Sequence, residues 1–307
     1  MNIIKYKYIF LSISGILILA SVVSVFVFGL KPGIDFVGGA LWQIKCQTLP
    51  ADRQVSDVKC QMSSDSLKDF FENNLKEKNA SVYSVEGESF LIRFNHISED
   101  KHREYLRSLS DRFGEVEELS YETIGPTIGK ELRDKAIKAV ILVLLGISLY
   151  VIYAFRKSSA FIKSWKYGFI VLLTLFHDII IPTGLLAFLG WKFGVELDTK
   201  FIVALLVIMG FSVHDTIVVF DRIRENLSTS RGKLDLSQTV NFSVKQTIAR
   251  SINTSLTLII ALVALFFFGP ASLKYFILII LVGTVIGTYS SIFIASPLLT
   301  FRGKFGN

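Results

Sequence analysis

The fold is decided by one stretch of the chain, Gly210-Phe211-Ser212-Val213-His214-Asp215-Thr216-Ile217-Val218-Val219-Phe220. The stretch closes an apolar run that begins at Phe201 and is long enough to cross about 30 Å of hydrocarbon as a helix. An ionised carboxyl group at that depth costs about 2.5–3.5 kcal/mol, so intramembrane acids usually face a bundle interior or a water-filled path and move ions or protons. The stretch therefore predicts a membrane helix with a functional acid, Asp215. The alternative is a protonated Asp215 that only hydrogen-bonds a neighbouring helix.

The composition is that of an integral membrane protein. Of the 307 residues, 51% are hydrophobic and only 19% are charged, and the mean hydropathy is +0.51. Six apolar runs are long enough to cross a bilayer as helices. They cover residues 9–30, 136–155, 168–189, 201–220, 248–268 and 273–301. The sequence therefore predicts a polytopic α-helical membrane protein, whose first run is too long for the core of a signal peptide and is interpreted as an anchor.

Basic residues in the short loops predict the orientation. The loop between the second and third spans carries four basic residues and no acid, and these are Arg156, Lys157, Lys163 and Lys166. Lys and Arg accumulate in cytoplasmic loops, so we expect this loop and both termini in the cytoplasm. The net charge of +7 then follows from the topology and from attraction to anionic lipid headgroups, and nucleic-acid binding is not needed to explain it.

A folded domain is predicted between the first two spans, on the outer face of the membrane. Alternating apolar residues predict four strands, at residues 41–45, 81–85, 90–94 and 116–123. Helical spacing predicts two helices, at residues 65–78 and 99–113. The resulting β-α-β-β-α-β order is typical of a ferredoxin-like α+β module.

The chain is thus predicted to have three parts. Residues 1–30 form the N-terminal end and the first span, residues 31–134 form the outer domain, and residues 135–307 form the other five spans with their loops and tail. Both cysteines, Cys46 and Cys60, fall in the outer domain. An oxidising periplasm would permit a disulfide between them, and the alternative is two unpaired thiols, because the spacing alone determines no geometry.

Two suggestive motifs are weakened by their spacing. Residues 125–131 resemble a phosphate-binding loop, but they have one residue too few between the glycines and lack Ser or Thr after the Lys. The pairs His177-Asp178 and His214-Asp215 suggest a metal site or a metal-dependent hydrolase. Neighbours on a helix point about 100° apart, so neither pair easily directs both groups at one ion. We expect no metal and no cofactor.

A polar track through the helical bundle is the more coherent prediction. Ser212, Asp215 and Thr216 share one face of the fourth span. Arg250 lies near the start of the fifth span, close to the same membrane edge, and its long side chain is expected to reach Asp215. Asp178 lies within the third span beside His177 and is a third candidate. In the last span, Gly283 and Gly287 predict close helix packing.

Several motifs together resemble one known family over essentially the whole chain. The first two are the run from Gly33 to Gly39, with Asp35 and Gly38, and the run Gly125-Pro126-Thr127-Ile128-Gly129. The others are His177-Asp178, the stretch around Asp215, and Gln246-Thr247-Ile248-Ala249-Arg250. In these motifs the chain resembles the SecD/SecF family of protein-export membrane proteins, which are related to the resistance-nodulation-division transporters.

The resemblance implies a function in protein export from a bacterial cell. Members of this family pair with SecD in the inner membrane and assist the SecYEG translocon in exporting unfolded preproteins, coupled to the proton motive force. YajC and the YidC insertase are further candidate partners, and no enzymatic activity is implied. By this resemblance, Asp215, Arg250 and Asp178 take part in the proton path. His177, Ser212, His214 and Thr216 support them, and both glycine motifs are mainly architectural.

One residue departs from the family pattern, because His214 stands where the family often has Asn. The His either changes the response to pH or only replaces the hydrogen bonds of the Asn, and we favour the second interpretation. A rival function is a stand-alone proton-driven exporter of small molecules or lipids. With six spans, such an exporter would have to dimerise with itself.

Overall fold

The computed structural model describes residues 3–46, 62–77, 79–85, 89–156, 162–229 and 235–301. The chain divides into two compact units. The helical unit consists of Met1–Lys31, Ala136–Val195 and Lys200–Asn307. The sheet unit consists of Pro32–Lys135 together with the short segment Glu196–Thr199.

Six helices within the described residues are long and apolar enough to cross a membrane, as the sequence predicts. A 3-10 turn, Ile4–Tyr6, precedes helix α1, Lys7–Phe28. The next four are α5, Pro126–Ala154; α6, Ser164–Phe193; α7, Thr199–Thr229; and α8, Leu236–Phe268. The last begins as α9, Lys274–Ser290, continues as a π-helical segment, Ser291–Ala295, and ends as α10, Ser296–Leu299.

Two of these helices begin well before the predicted spans. Helix α5 begins at Pro126, where the missing N–H of proline is no disadvantage because the first amides of a helix have no partner inside it. Helix α8 begins at Leu236, and the side chain of Asp235 accepts the N–H of Ser237 at 3.2 Å. The first turns of both helices are polar. A search for apolar runs does not include them, so the predicted spans begin later than the helices.

Helices α6, α7 and the α9–α10 helix form the interior of the helical unit. About half of the apolar window of each is buried, whereas α1, α5 and α8 are mostly exposed. Small residues allow close packing at the contacts. A Cβ added to Gly184 on α6 would lie 2.4 Å from the Cα of Ser21 on α1, and the Ser24 hydroxyl donates to the Gly184 carbonyl at 2.8 Å. Backbones can approach this closely only at a glycine.

The sheet unit contains four strands and two longer helices in the order that the sequence predicts. The first half is β1, Gly39–Cys46, then α3, Ser64–Asp69, extended by a π-helical segment, Phe70–Asn74, and then β2, Ser81–Val85. The second half is β3, Ser89–Phe94, then α4, Glu99–Phe113, and then β4, Val116–Ile124. The strands form one sheet in the order β2-β3-β1-β4, and every neighbouring pair is antiparallel.

The core of this unit lies between one face of the sheet and the helices. Ala40, Trp42 and Ile44 alternate along β1 and are fully buried. They pack in one cluster with Phe71 from the π-helical segment and Leu109 from α4. Cys46 ends β1, but Cys60 lies outside the described residues, so the disulfide remains a prediction.

The two glycine motifs pack against each other. Gly38 and Gly39 have φ angles of +79° and +133°, which L-residues with side chains rarely adopt. A Cβ on Gly38 would lie 2.8 Å from the Cα of Pro126, and a Cβ on Gly129 would lie 2.8 Å from the backbone N of Gly38. Gly38 and Gly129, two of the glycines that the sequence singled out, therefore lie where the chain after α1 crosses the start of α5.

The segment before α7 belongs to the sheet unit, which the sequence did not predict. The N–H of Gly33 donates to the carbonyl of Leu197 at 2.8 Å. The carboxylate of Asp35 accepts the backbone N–H of Thr199 at 2.8 Å and also accepts its hydroxyl. Asp35 thus provides a partner for one of the first amides of α7, which no residue within that helix can reach.

A short helix connects these contacts. It is α2, Ile34–Val37, which begins with Gly33 in an extended conformation and ends at Gly38. Arg93 on β3 forms an ion pair with Glu196 at 2.7 Å, so the sheet also contacts the segment before α7.

Candidate functional site

The carboxyl group of Asp178 is fully buried and has three hydrogen-bond partners. His177 Nδ1 lies 2.8 Å from Oδ1. The hydroxyls of Ser212 and Ser290 donate to Oδ2 at 2.5 and 2.9 Å. Three helices, α6, α7 and α9, therefore meet at this one carboxyl group. Such a carboxyl group is held in place strongly, because hydrogen bonds to buried polar groups are expensive to leave unmade.

Asp215 is also buried, with 6% of its surface exposed, but its carboxyl group is less completely bonded. The hydroxyls of Ser251 on α8 and Ser291 in the π-helical segment lie beside it. Its Oδ2 has no hydrogen-bond partner among the described residues, and neither has Ser251 Oγ. Asp215 is therefore the acid with bonding capacity to spare.

Hydroxyl groups connect the surroundings of the two acids. Thr216 Oγ1 and Ser291 Oγ lie 2.8 Å apart, so one of them donates to the other, and they lie 3.0 and 3.2 Å from the carbonyl oxygen of Ser212. The side chain of the same Ser212 bonds Asp178. Asp215, one turn further along α7, lies beside Ser291. The surroundings of the two acids thus meet at Ser212, whose side chain bonds Asp178 and whose carbonyl bonds the hydroxyls beside Asp215.

Two glycines explain how α9 comes close enough to α7 for these contacts. A Cβ on Gly283 would lie 2.2 Å from Cδ1 of Ile208, and one on Gly287 would lie 3.0 Å from Cβ of Ser212. The π-helical segment begins at Ser291, directly after the helix that carries Ser290. Single-turn π segments within helices occur frequently at functional sites.

The two histidines differ in their surroundings. His177 is 3% exposed, and its Nε2 has no partner in the described part of the chain. His214 is exposed on α7, although its neighbours Val213 and Asp215 are buried. Within the described ranges, no group of three or more His, Cys, Asp or Glu side chains is placed to hold a metal ion.

The side chain of Arg250 does not contact Asp215, although the sequence predicted this contact. The buried face of α8 repeats every four residues through Ser243, Thr247, Ser251 and Ser255. Arg250 is exposed, and no ion pair between described residues includes it. Because adjacent residues differ by about 100° around a helix, Ser251 rather than Arg250 faces Asp215. The expected contact between Arg250 and Asp215 is therefore absent from this conformation.

The other predicted site residues fall into two groups. His177, Asp178, Ser212, Asp215 and Thr216 come together in the helical unit as described above. The two glycine motifs lie in the sheet unit, where Gly38 contacts Pro126 and Gly129, whereas nothing lies within 4 Å of a Cβ added to Gly125. Sequence reasoning missed the roles of Ser251, Ser290 and Ser291, although small hydroxyl residues in an otherwise apolar helix are a signal for contact with another helix.

Comparison with known proteins decides the family. The family described as "Protein export membrane protein SecD/SecF, C-terminal" matches residues 104–304, and the "SecD/SecF GG Motif" matches residues 23–48. The chain belongs to the SecD/SecF family. The GG-motif match includes Gly33, Asp35, Gly38 and Gly39, which form the contacts described for the sheet unit. The larger match includes both acids.

Relatives in this family cover nearly the whole chain. A protein translocase subunit SecF from Thermobaculum terrenum is 40% identical over 300 residues, which are 97% of this chain and 92% of the relative. Another, from Anaerolinea thermophila, is 37% identical and covers 97% of this chain and 93% of that protein. The crystal structure of SecDF from Thermus thermophilus, a translocon-associated membrane protein, matches 97% of this chain with a TM-score of 0.80 and 32% identity. This chain spans only 38% of that SecDF chain.

Proposed function

We propose that this chain is a protein-export subunit that pairs with a SecD subunit and assists the SecYEG translocon in moving preproteins across the bacterial inner membrane. The 40% identity to a translocase subunit over 97% of the chain carries this proposal. The similarity to a SecDF structure and to relatives named SecF supports a SecD partner. The function is transport, without enzymatic chemistry.

The proposed orientation places both termini in the cytoplasm and the sheet unit in the periplasm. Basic loops after the second and fourth spans support it. The sheet unit is then a ferredoxin-like domain between the first two spans, a proposal supported by its element order and by the antiparallel strand order β2-β3-β1-β4. This domain would contact the emerging preprotein, and YajC and YidC are further proposed partners of the assembly.

The proposed energy source is the proton motive force, with Asp215 as the group that binds and releases the proton. Asp215 is buried in an apolar helix, lies beside two hydroxyls and has an unused acceptor atom. The hydroxyls beside Asp215 bond Ser212, whose side chain bonds Asp178, so both acids lie in one polar region of the bundle. One charge that crosses the membrane is worth about 2.3 kcal/mol per 100 mV, so a few protons supply enough energy to repack helices.

Arg250 is adjacent to Ser251 on α8, which suggests how proton binding at Asp215 could be coupled to helix movement. Ser251 faces Asp215 in this conformation, and Arg250 is its neighbour on α8. A rotation of α8 by about 100°, or a comparable movement of α7, would replace the hydroxyl with a guanidinium opposite the acid. Ionised Asp215 would favour the state with Arg250 and protonated Asp215 the state with Ser251. Proton binding would thereby shift an equilibrium between two packings.

The partner is tested by purifying the tagged chain from its native membrane in a mild detergent and identifying the bound proteins by mass spectrometry. The proposal predicts recovery of SecD with SecYEG components. Recovery of self-oligomers alone would contradict it and favour the stand-alone exporter.

A further inference from the structure

A cavity of about 370 Å³ lies where the N-terminal 3-10 turn meets the first three turns of α8. Helices α1 and α8 begin at the same face of the membrane, because four spans, α1, α5, α6 and α7, separate the two starting points. The contact is direct, since the N–H of Ile3 donates to Oδ1 of Asn241 at 2.8 Å. The cavity is therefore at one membrane surface, and neither acid of the candidate proton path lines it.

The charge in this cavity comes from two lysines on different helices. Lys5 lines it from the N-terminal turn and Lys245 lines it from α8, and no acidic residue is among the lining side chains. The nearest acid along the chain, Asp235, uses its carboxylate to cap α8. Two lysines from separate elements line one cavity that no acidic side chain lines, which fits an anionic ligand.

Uncharged donors line the same space. Ser237, Gln238 and Asn241 contribute one hydroxyl and two amides. Asn241 is held by the bond that Oδ1 accepts from Ile3, and its NH₂ group is not engaged by that bond. Hydroxyl and amide N–H groups together with ammonium groups are the donors that proteins commonly use for phosphate oxygens.

The remaining lining is apolar. Ile4 and Phe242 provide it, and Phe242 is 52% exposed on α8, a helix that continues into the membrane. A free phosphate ion has no part that would use these side chains, whereas a phospholipid places glycerol and the first carbons of its acyl chains directly below the phosphate. Basic pockets between membrane helices at this depth bind anionic headgroups.

We propose that this cavity is a specific binding site for the headgroup of an anionic phospholipid. The phosphate lies between Lys5 and Lys245 and accepts hydrogen bonds from the amides. Ile4 and Phe242 contact the start of the acyl chains. A lipid bound here joins the start of α1 to the start of α8, and this role is independent of whether the chain functions in export.

The test is native mass spectrometry of the chain with its co-purified partners, titrated with phosphatidylglycerol or with phosphatidylcholine of the same acyl chains. Each lysine near the membrane surface contributes about fivefold to the affinity for an anionic lipid, so Lys5→Gln with Lys245→Gln should weaken phosphatidylglycerol retention about 30-fold. The matched control is Lys138→Gln with Lys200→Gln, which removes the same charge from exposed positions near the starts of α5 and α7, at the opposite membrane face. This control should retain the lipid as the original chain does.

Four results would overturn the proposal. Equal retention of phosphatidylglycerol by the two Gln double variants would show that the lysines of the cavity contribute no more to lipid binding than lysines elsewhere. Equal retention of phosphatidylcholine by the original chain would remove the need for charge. Displacement of phosphatidylglycerol by inorganic phosphate at matching concentrations would assign the cavity to a free anion. The Lys5→Arg with Lys245→Arg variant keeps the charge and should retain the lipid, and its failure would also count against the proposal.

Discussion

The backbone N–H of Thr199 donates to the carboxylate of Asp35 at 2.8 Å, so a residue of the GG motif holds the first residue of the helix that carries Asp215. The two acids serve different purposes. Asp35 accepts a backbone N–H that would otherwise lack a partner. Asp215 lies 16 positions beyond Thr199, or about 24 Å further along the same helix. The GG motif therefore bonds Thr199 in addition to forming a turn.

Replacement of Asp35 tests this contact. Asp35→Ala should destabilise the first turn of α7 by about 0.5–2 kcal/mol, as loss of a capping side chain does elsewhere. The measurement is hydrogen exchange of the purified complex, and exchange should increase at residues 199–203. Asp35→Asn retains an acceptor oxygen and should be closer to the original chain. Asp69→Ala, at an exposed position of α3, should leave exchange at these residues unchanged.

The hydroxyl donors to Asp178 should be important for stability. Ser212→Ala or Ser290→Ala removes one of the hydrogen bonds to a buried carboxyl group, which should cost about 1–3 kcal/mol in each case. Thermal unfolding in detergent measures the loss. The two changes share one acceptor, so the double variant should deviate from additivity. Ser228→Ala, at an exposed position of α7, is the control, and a loss of the same size there would contradict the argument.

Close packing at Gly184 gives a steric prediction. The added Cβ of Gly184→Ala would lie 2.4 Å from the Cα of Ser21, so α1 must move away from α6, at a cost of about 1–3 kcal/mol. Gly146→Ala is the matched control, because nothing lies within 4 Å of a Cβ added there. Unfolding of both variants in detergent should show a loss only for the first. Equal stability of the two would show that α1 and α6 are not tightly packed at this point.

Tyr105 gives a pH dependence in the sheet unit. Burial, followed by the neighbouring charge of Glu77, raises the pKa of Tyr105 to about 12. The hydroxyl donates to Glu77 at 3.1 Å. Because the unfolded chain loses this proton near pH 10, the contribution of Tyr105 to stability is complete below about pH 10 and is lost as pH rises towards about 12.

The measurement for Tyr105 is the difference in ultraviolet absorbance between the original chain and Tyr105→Phe as the pH is raised. The difference should show one tyrosinate with a midpoint near 12. A midpoint near 10 would show that the hydroxyl is neither buried nor held by Glu77. The same absorbance difference is measured for Tyr83→Phe, on the half-buried strand β2, and is compared with that of Tyr105→Phe.

Local sequence patterns were sufficient to predict much of the fold. The six spans and the order of strands and helices follow from apolar runs and from periods of 2 and 3.6 residues, which a sequence displays directly. The i, i+4 relation also placed Ser212 and Thr216 correctly on one face of α7. Each of these features depends on residues that are close together in the chain.

Features that depend on how one helix is rotated against another could not be predicted. Arg250 and Ser251 are adjacent, and only the packing of α8 decides which of them faces Asp215. In the same way, the bond between Asp35 and Thr199 joins residues 164 positions apart. Ser290 and Ser291 approach the acids because Gly283 and Gly287 allow α9 to lie close to α7, which requires knowledge of both helices.

The most direct measurement is preprotein export driven by the proton motive force in inverted membrane vesicles that contain Asp215→Asn. Asn keeps the size and polarity of the side chain but cannot bind and release a proton. The proposed mechanism predicts that the variant assembles with SecD normally and loses the proton-dependent part of export, whereas Asp221→Asn, at an exposed acid on the same helix, retains it. Full proton-dependent export by an assembled Asp215→Asn complex would contradict the account.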